Sequence, residues 1–177
     1  MAILAAMGIE VREATARDAP ALAALRYEFR ASIGTITEAR EAFLPRCTEW
    51  MAAQMAAGAS WRCWVVEEAG AIRGHLWLQV VEKVPNPVVE QERHAYITNV
   101  YVEPGSRGAG AGLLLMEAAM GWCRDNGIDS AFLWPTEQSR SLYRRFGFRE
   151  PDDMMEAIVN AGRDLNGQAS GGHFTGS

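Results

Sequence analysis

The sequence predicts an α/β (α+β) protein in which helices are embedded in a mixed sheet. Three observations carry this. Strand-like and helix-like runs alternate along the chain. A glycine-rich segment, RGAGAG (Arg107–Gly112), stands between the β-branched, aromatic run AYITNVYV and the apolar, helix-forming run LLLMEAAMGWC. The length of 177 residues, 49% apolar and 22% charged, suits one sizeable core.

The elements follow in order. Ile9 to Glu13 reads as a first strand. Asp18 is a plausible N-cap for a helix from Ala19 to Arg30, with Leu22, Leu25 and Phe29 facing inward. A break over Ile33 to Thr37 precedes a second helical region, Glu38 to Ala57, interrupted near Pro45 and ended by Gly58. Trp61 to Glu68 and Ile72 to Val81 read as paired strands about an Ala69-Gly70 turn. Val84 to Arg93 is a polar, proline-interrupted loop, and His94 to Val102 a strand. Gly110 to Asn126 is a helix with Gly127 beyond its end, and Ser130 to Thr136 another strand. Gln138 to Phe146 is a short helix stopped by Gly147. Phe148–Arg149 and Met154–Val159 suggest a last hairpin. Residues 1–159 form the expected domain, and the Gly/Ser-rich tail, 160–177, is expected to be mobile.

Composition narrows the function classes. The net charge of −5 argues against a general nucleic-acid binder and fits a cationic acceptor better than an anionic one. Cys47, Cys63 and Cys123 show neither C-x-x-C nor metal spacing and read as reduced core thiols, which points to a cytoplasmic protein. His75, His94 and His173 are scattered, so no metal is expected. No apolar run has membrane-spanning length, and the start MAILAAMGIE lacks the basic region of a signal peptide. Met7 is an alternative start.

A strand, a glycine turn and a helix N-terminus together make an anion site. Backbone N–H groups point outward, the helix dipole favours negative charge, and glycine admits a phosphate where a Cβ would obstruct it. A P-loop needs Lys and Ser/Thr after its last glycine, but Gly112 is followed by Leu113 and Leu114. The dinucleotide fingerprint needs G-x-G-x-x-G early in a βαβ unit, whereas Gly108, Gly110 and Gly112 fall late and at a different spacing.

The loop has the form R-x-x-G-x-G in Arg107, Gly110 and Gly112, and downstream comes LY-x-x-x-GF in Leu142, Tyr143, Gly147 and Phe148. In this order and spacing the pair resembles the GNAT family of acyl-CoA-dependent N-acetyltransferases. The resemblance covers roughly residues 9 to 159, with its specific part in 95 to 149. It implies a mostly antiparallel central sheet flanked by helices, with His94–Val102 splayed from a parallel neighbour at Ser130–Thr136. It implies acetyl-CoA as cosubstrate, without a metal. The backbone of Val100, Tyr101 and Val102 would pair with the pantetheine arm, and Arg107, Gly108, Ala109, Gly110, Ala111 and Gly112 would hold the pyrophosphate. Arg107 either adds charge or shapes the loop. Most of Arg140, Arg144, Arg145 and Arg149 read as a solvated helical face.

By the same resemblance Tyr143 would protonate the departing thiolate, and the Val100 N–H would polarise the thioester carbonyl. Relatives often carry a carboxylate where Thr98 and Asn99 stand here, and an Asn near TEQS, where Ser139 is the substitute. A water chain, or a carboxylate such as Glu28, Glu38, Glu90 or Glu92, would then take the proton. Tyr27, Thr98 and Asn99 are candidate acceptor residues, with Phe29 and Trp50 lining an apolar approach. The acceptor class stays open among a small-molecule amine, an aminoglycoside-like compound, and a peptide or protein amine. The partner expectations are that acceptor, no nucleic acid and no membrane, with a homodimer left open. A non-catalytic acyl-CoA sensor is the alternative function.

Overall fold

Five strands line up in chain order in one sheet: β1 (Ile9–Glu13), β2 (Trp61–Glu68), β3 (Ala71–Glu82), β4 (Arg93–Val102) and β5 (Ser130–Phe132). The computed structural model describes residues 8–34, 36–56, 58–152 and 154–157. The expectations for the N-terminal residues 1–7 and for the tail from Asn160 lie outside them. β1 to β4 pair antiparallel, and β4 pairs β5 in parallel.

Period-two alternation decides which side chain meets which helix. Cys63, Val65 and Trp77 pack against α1 (Ala19–Ile33) and α2 (Arg40–Gln54), with Leu22, Cys47 and Met51. Trp64, Val66, Leu76 and Leu78 pack with Leu115, Met116 and Ala119 of α3 (Ala111–Asp125). Both faces are therefore covered, as the apolar runs of β2 and β3 require. Removing a fully buried side chain such as Leu115, by substitution to Ala, costs about 2–5 kcal/mol. The β3–β4 contact depends on Gly74, where a Cβ would lie 2.6 Å from the Tyr101 carbonyl oxygen. All three cysteines are buried, as core residues should be.

One sequence expectation is refined and three are corrected. Asp18 is the N-cap residue of α1, as expected, although its carboxylate makes no capping bond to that helix. It accepts from Arg12 at 2.8 Å and from the Thr15 N–H at 2.7 Å, which pulls its pKa down to about 2. The second helix begins at Arg40, not Glu38, and runs unbroken through Pro45. The proline ring removes one N–H donor, and burial of Cys47 and Met51 just beyond it holds the helix together. β5 ends at Phe132 rather than Thr136, because its pairing with β4 stops there and Pro135 has no N–H to offer a neighbour. Among the described residues no final hairpin forms, since 148–149 and 154–157 are not strands, and the expectation for residues 158–159 lies outside them. Pro151 interrupts the segment, and Met154 and Met155 stand exposed without a pairing edge.

Candidate functional site

The strand carrying the site, β4, is irregular on both edges. Toward β5 it pairs only through His94, Ala95 and Tyr96, so the expected splay is present and the edge from Ile97 onward has no strand beside it. Toward β3 the register passes from Trp77↔Thr98 to His75↔Tyr101. Leu76 alone therefore stands opposite Asn99 and Val100, which makes a β-bulge. Asn99 adopts φ 53°, a left-handed conformation that Asn tolerates better than most residues.

The glycine loop has the conformation that the anion argument requires. Gly108 and Gly110 take φ of 84° and 83°, and Gly110 is the N-cap of α3. The first intrahelical bond runs from the Leu114 N–H to the Gly110 carbonyl, 3.0 Å. No side chain caps the helix, and its first turn holds no acidic residue. The N–H groups of Ala111, Gly112 and Leu113 thus find no acceptor among the described residues, leaving a positive, outward-facing cradle. Arg107 shapes this loop: its Nε donates to the Val102 carbonyl at 2.8 Å and its guanidinium lies 5.7 Å from the Tyr101 ring centre.

A groove of about 1440 Å³ runs from this cradle along the free edge of β4. Its walls include Thr98 to Val102 and Arg107, Gly108 and Gly110 to Gly112, whereas Ala109 packs against the core. The opposite wall carries Ser139 and Tyr143. Tyr143 belongs to α4 (Arg140–Arg144) and is 8% exposed. Burial raises its pKa, with the Ser139 hydroxyl opposing, so the phenol is protonated at neutral pH. The Ser139 hydroxyl is occupied locally, donating to the Thr136 carbonyl at 2.9 Å and accepting from the Thr136 N–H at 2.9 Å. Of the arginines here, Arg140 is tied to Glu137 and Glu150, while Arg145 borders the groove.

A second cavity, about 370 Å³, lies between α1, α2 and the sheet. Trp50, Trp61 and Trp77 form its aromatic wall, with ring centres 5.4–6.1 Å apart, and Phe43, Cys47 and Met51 extend it. Burial raises the Cys47 pKa, so its thiol stays protonated. The two cavities share Arg26, Tyr96, Thr98 and Asn99. Arg26 Nη1 donates to Asn99 Oδ1 at 3.0 Å. Near the bulge lies His75, fully buried, with neither ring nitrogen in hydrogen-bond geometry. Burial lowers its pKa to about 4, partly opposed by nearby Asn99, so the imidazole is neutral near pH 7.

Most residues singled out in the sequence converge on these two spaces. Phe29 borders the groove and Trp50 the smaller cavity. Tyr27 borders neither; its ring packs on Phe43 at 5.6 Å, between the helices. The four candidate carboxylates are engaged elsewhere. Glu28 pairs with Arg40 and Glu38 with Arg46, Glu90 with Lys83, and Glu92 accepts from the Asn86 N–H. The carboxylates bordering the groove are Glu137 and Glu156, and none borders the smaller cavity. Sequence reasoning missed Arg26, His75, Trp61 and Trp77. A signal existed for Arg26, which at helical spacing from Leu22 interrupts an apolar stripe.

Among the described residues no group of three His, Cys, Asp or Glu side chains is placed to hold a metal. No described helix is long and apolar enough to cross a membrane. The family model described as the GNAT acetyltransferase family matches residues 33–148. Among solved structures, a GCN5-related N-acetyltransferase from Ralstonia eutropha JMP134 is similar at 31% identity and TM-score 0.70, covering 85% of this chain and 99% of its own. A protein from Clostridium acetobutylicum, described as a predicted acetyltransferase and solved with acetyl-CoA, is similar at 22% identity and TM-score 0.72, over 85% and 96% of the two chains. An aminoglycoside acetyltransferase from an uncultured soil metagenomic sample shares the fold at 17% identity and TM-score 0.64, over 86% and 99%. A search of curated proteins found no match.

Proposed function

Because the chain belongs to the GNAT family of acetyltransferases, we propose that it moves an acetyl group from acetyl-CoA directly to the nitrogen of a primary amine. One observation carries this reading: a long groove ending in free N–H groups meets a smaller, solvent-open cavity at Thr98 and Asn99. Two occupants can therefore meet across the β4 bulge.

When bound, acetyl-CoA supplies a thioester carbonyl open to attack by an amine. The Ala111, Gly112 and Leu113 N–H groups suit its pyrophosphate, because they are donors that lack acceptors and sit at a helix N-terminus. The free edge at Val100, Tyr101 and Val102 offers backbone groups to an extended, amide-bearing arm. Arg107 keeps that edge and the loop in register through its bond to Val102. Tyr143, kept protonated by burial, is the donor to sulfur as the C–S bond breaks and the C–N bond forms. The surplus proton on the amine nitrogen passes to solvent beside Thr98 and Asn99. Direct transfer is favoured over a cysteinyl intermediate because Cys47 is held as a weakly nucleophilic thiol.

A coenzyme A release assay over a panel of amines tests this. The expected result is release matched by N-acetylated product in mass spectrometry. The lack of a carboxylate in the smaller cavity favours one second reading, an acyl-CoA-binding sensor. Tight acetyl-CoA binding without turnover of any amine would establish that reading instead.

A further inference from the structure

We propose that the acceptor is an α-amino acid with an apolar or aromatic side chain, its carboxylate on Arg26 and its side chain among Trp50, Trp61 and Trp77. This rests on the acyl-transfer reading and names the substrate class of that site.

The smaller cavity has cations and no anion. Arg26 and Arg46 border it, and Asp and Glu do not. Arg46 already has a carboxylate partner in Glu38, whose Oε1 lies 3.2 Å from its Nε. Arg26 has no carboxylate within salt-bridge distance among the described residues. Its contacts are one neutral amide oxygen, on Asn99, and the face of Phe29 at 5.7 Å. A partly buried guanidinium held this way is under-satisfied, and a carboxylate matches its planar fork. The Trp77 indole lines the cavity, and its N–H is buried beneath the wall without an acceptor.

Size and shape fix the rest of the molecule. At about 370 Å³ the cavity falls at the low end of ligand pockets, roughly 300–1,000 Å³. Three indoles suit a flat, apolar body. Arg26 stands at the junction, so a carboxylate bound there leaves the adjacent α-amine beside Thr98 and Asn99, facing the groove. The local charge is opposite to what the chain's net −5 suggested, and it disfavours polycationic acceptors.

Calorimetric titration of the full chain with coenzyme A present tests this without requiring turnover. The probes are L-phenylalanine, phenethylamine, which lacks only the carboxylate, and spermidine. Phenylalanine is expected to bind about 10- to 100-fold more tightly than phenethylamine, the value of a hydrogen bond to a charged group. Arg26→Gln should remove that preference while circular dichroism shows the fold retained, Arg26→Lys should restore part of it, and Arg46→Gln should leave it in place. Undetectable phenylalanine binding, equal or tighter binding of phenethylamine or spermidine, or a preference that survives Arg26→Gln would overturn the proposal. Failure of every amine to release coenzyme A would refute the transfer reading separately, leaving these binding comparisons intact.

Discussion

Arg26 and Asn99 are joined by a 3.0 Å hydrogen bond from a helical guanidinium to the one left-handed residue of β4. The bond fastens α1 to the β4 bulge, at the wall shared by both cavities. It also occupies one lone pair of the Asn99 carbonyl oxygen; a neutral carboxamide is not a base near pH 7, so Asn99 orients its neighbours rather than taking the proton.

Gly110→Glu is expected to abolish acetyl-CoA binding while the fold persists. Gly110 sits at φ 83° as the N-cap of α3, so a side chain there is strained and brings negative charge to the free N–H groups. Titration calorimetry with acetyl-CoA reads the loss, and circular dichroism confirms the fold. Unchanged affinity in a folded variant would place the pyrophosphate elsewhere.

Tyr143→Phe keeps the ring and its edge contact with Phe148, at 6.0 Å between centres, but removes the proton. The turnover number should fall by about 10²–10⁴-fold, the usual worth of a general acid. Acetyl-CoA affinity should barely change. A turnover number within twofold of the parent rules out this role.

Proton removal without a dedicated side-chain base has a kinetic signature. No carboxylate borders the smaller cavity, and His75 is a weak base with its pKa lowered to about 4. The unprotonated fraction of the amine then limits the rate. In profiles of kcat/KM against pH, the rising limb should move to lower pH for amines of lower pKa. A limb fixed at one pH for all amines, and displaced when one Glu is removed, would reveal an enzyme base.

His75 should also make the fold acid-sensitive. Burial lowers its pKa from 6.5 to about 4, reinforced by the charge of Arg26 and opposed by Asn99; the Tyr101 ring lies 6.2 Å away. Below pH 6.5 the unfolded chain binds a proton that the folded chain refuses, so stability falls as pH drops toward 4 and is regained above 6.5. The full loss is about 3 kcal/mol for this shift. Thermal melts at pH 7 and pH 5 should show a smaller drop for His75→Leu than for the parent. Equal drops would assign the acid sensitivity to other groups.

The cofactor side was far more legible in the sequence than the acceptor side. RGAGAG and LY-x-x-x-GF are local motifs, and the groove is built from backbone geometry that such motifs dictate. Strands β2 and β3 were readable as continuous apolar runs because both of their faces are buried, Cys63 and Val65 on one and Trp64 and Val66 on the other. The smaller cavity, proposed as the acceptor site, joins Trp50 of α2, Trp61 of β2 and Trp77 of β3, which no local pattern connects. The Asn99 bulge was equally hidden, because a register slip depends on the partner strand. Pro45 misled, because tertiary packing overrides the helix break it suggested.

The two hydrophobic clusters lie on opposite faces of the sheet, and each walls one of the two spaces. Cys47, Met51 and Trp77 belong to the cluster under α1 and α2 and also wall the smaller cavity. Val100, Ala111, Leu142 and Tyr143 belong to or pack on the cluster under α3 and wall the groove. Substitutions on the two faces fall in separate packing environments, where their effects tend to add rather than interfere. A library that randomises Phe43, Cys47, Trp50 and Met51 can therefore explore new acceptors on an unchanged donor platform. The same partition would let divergence reshape acceptor choice piecemeal while the other face stays under its own constraints.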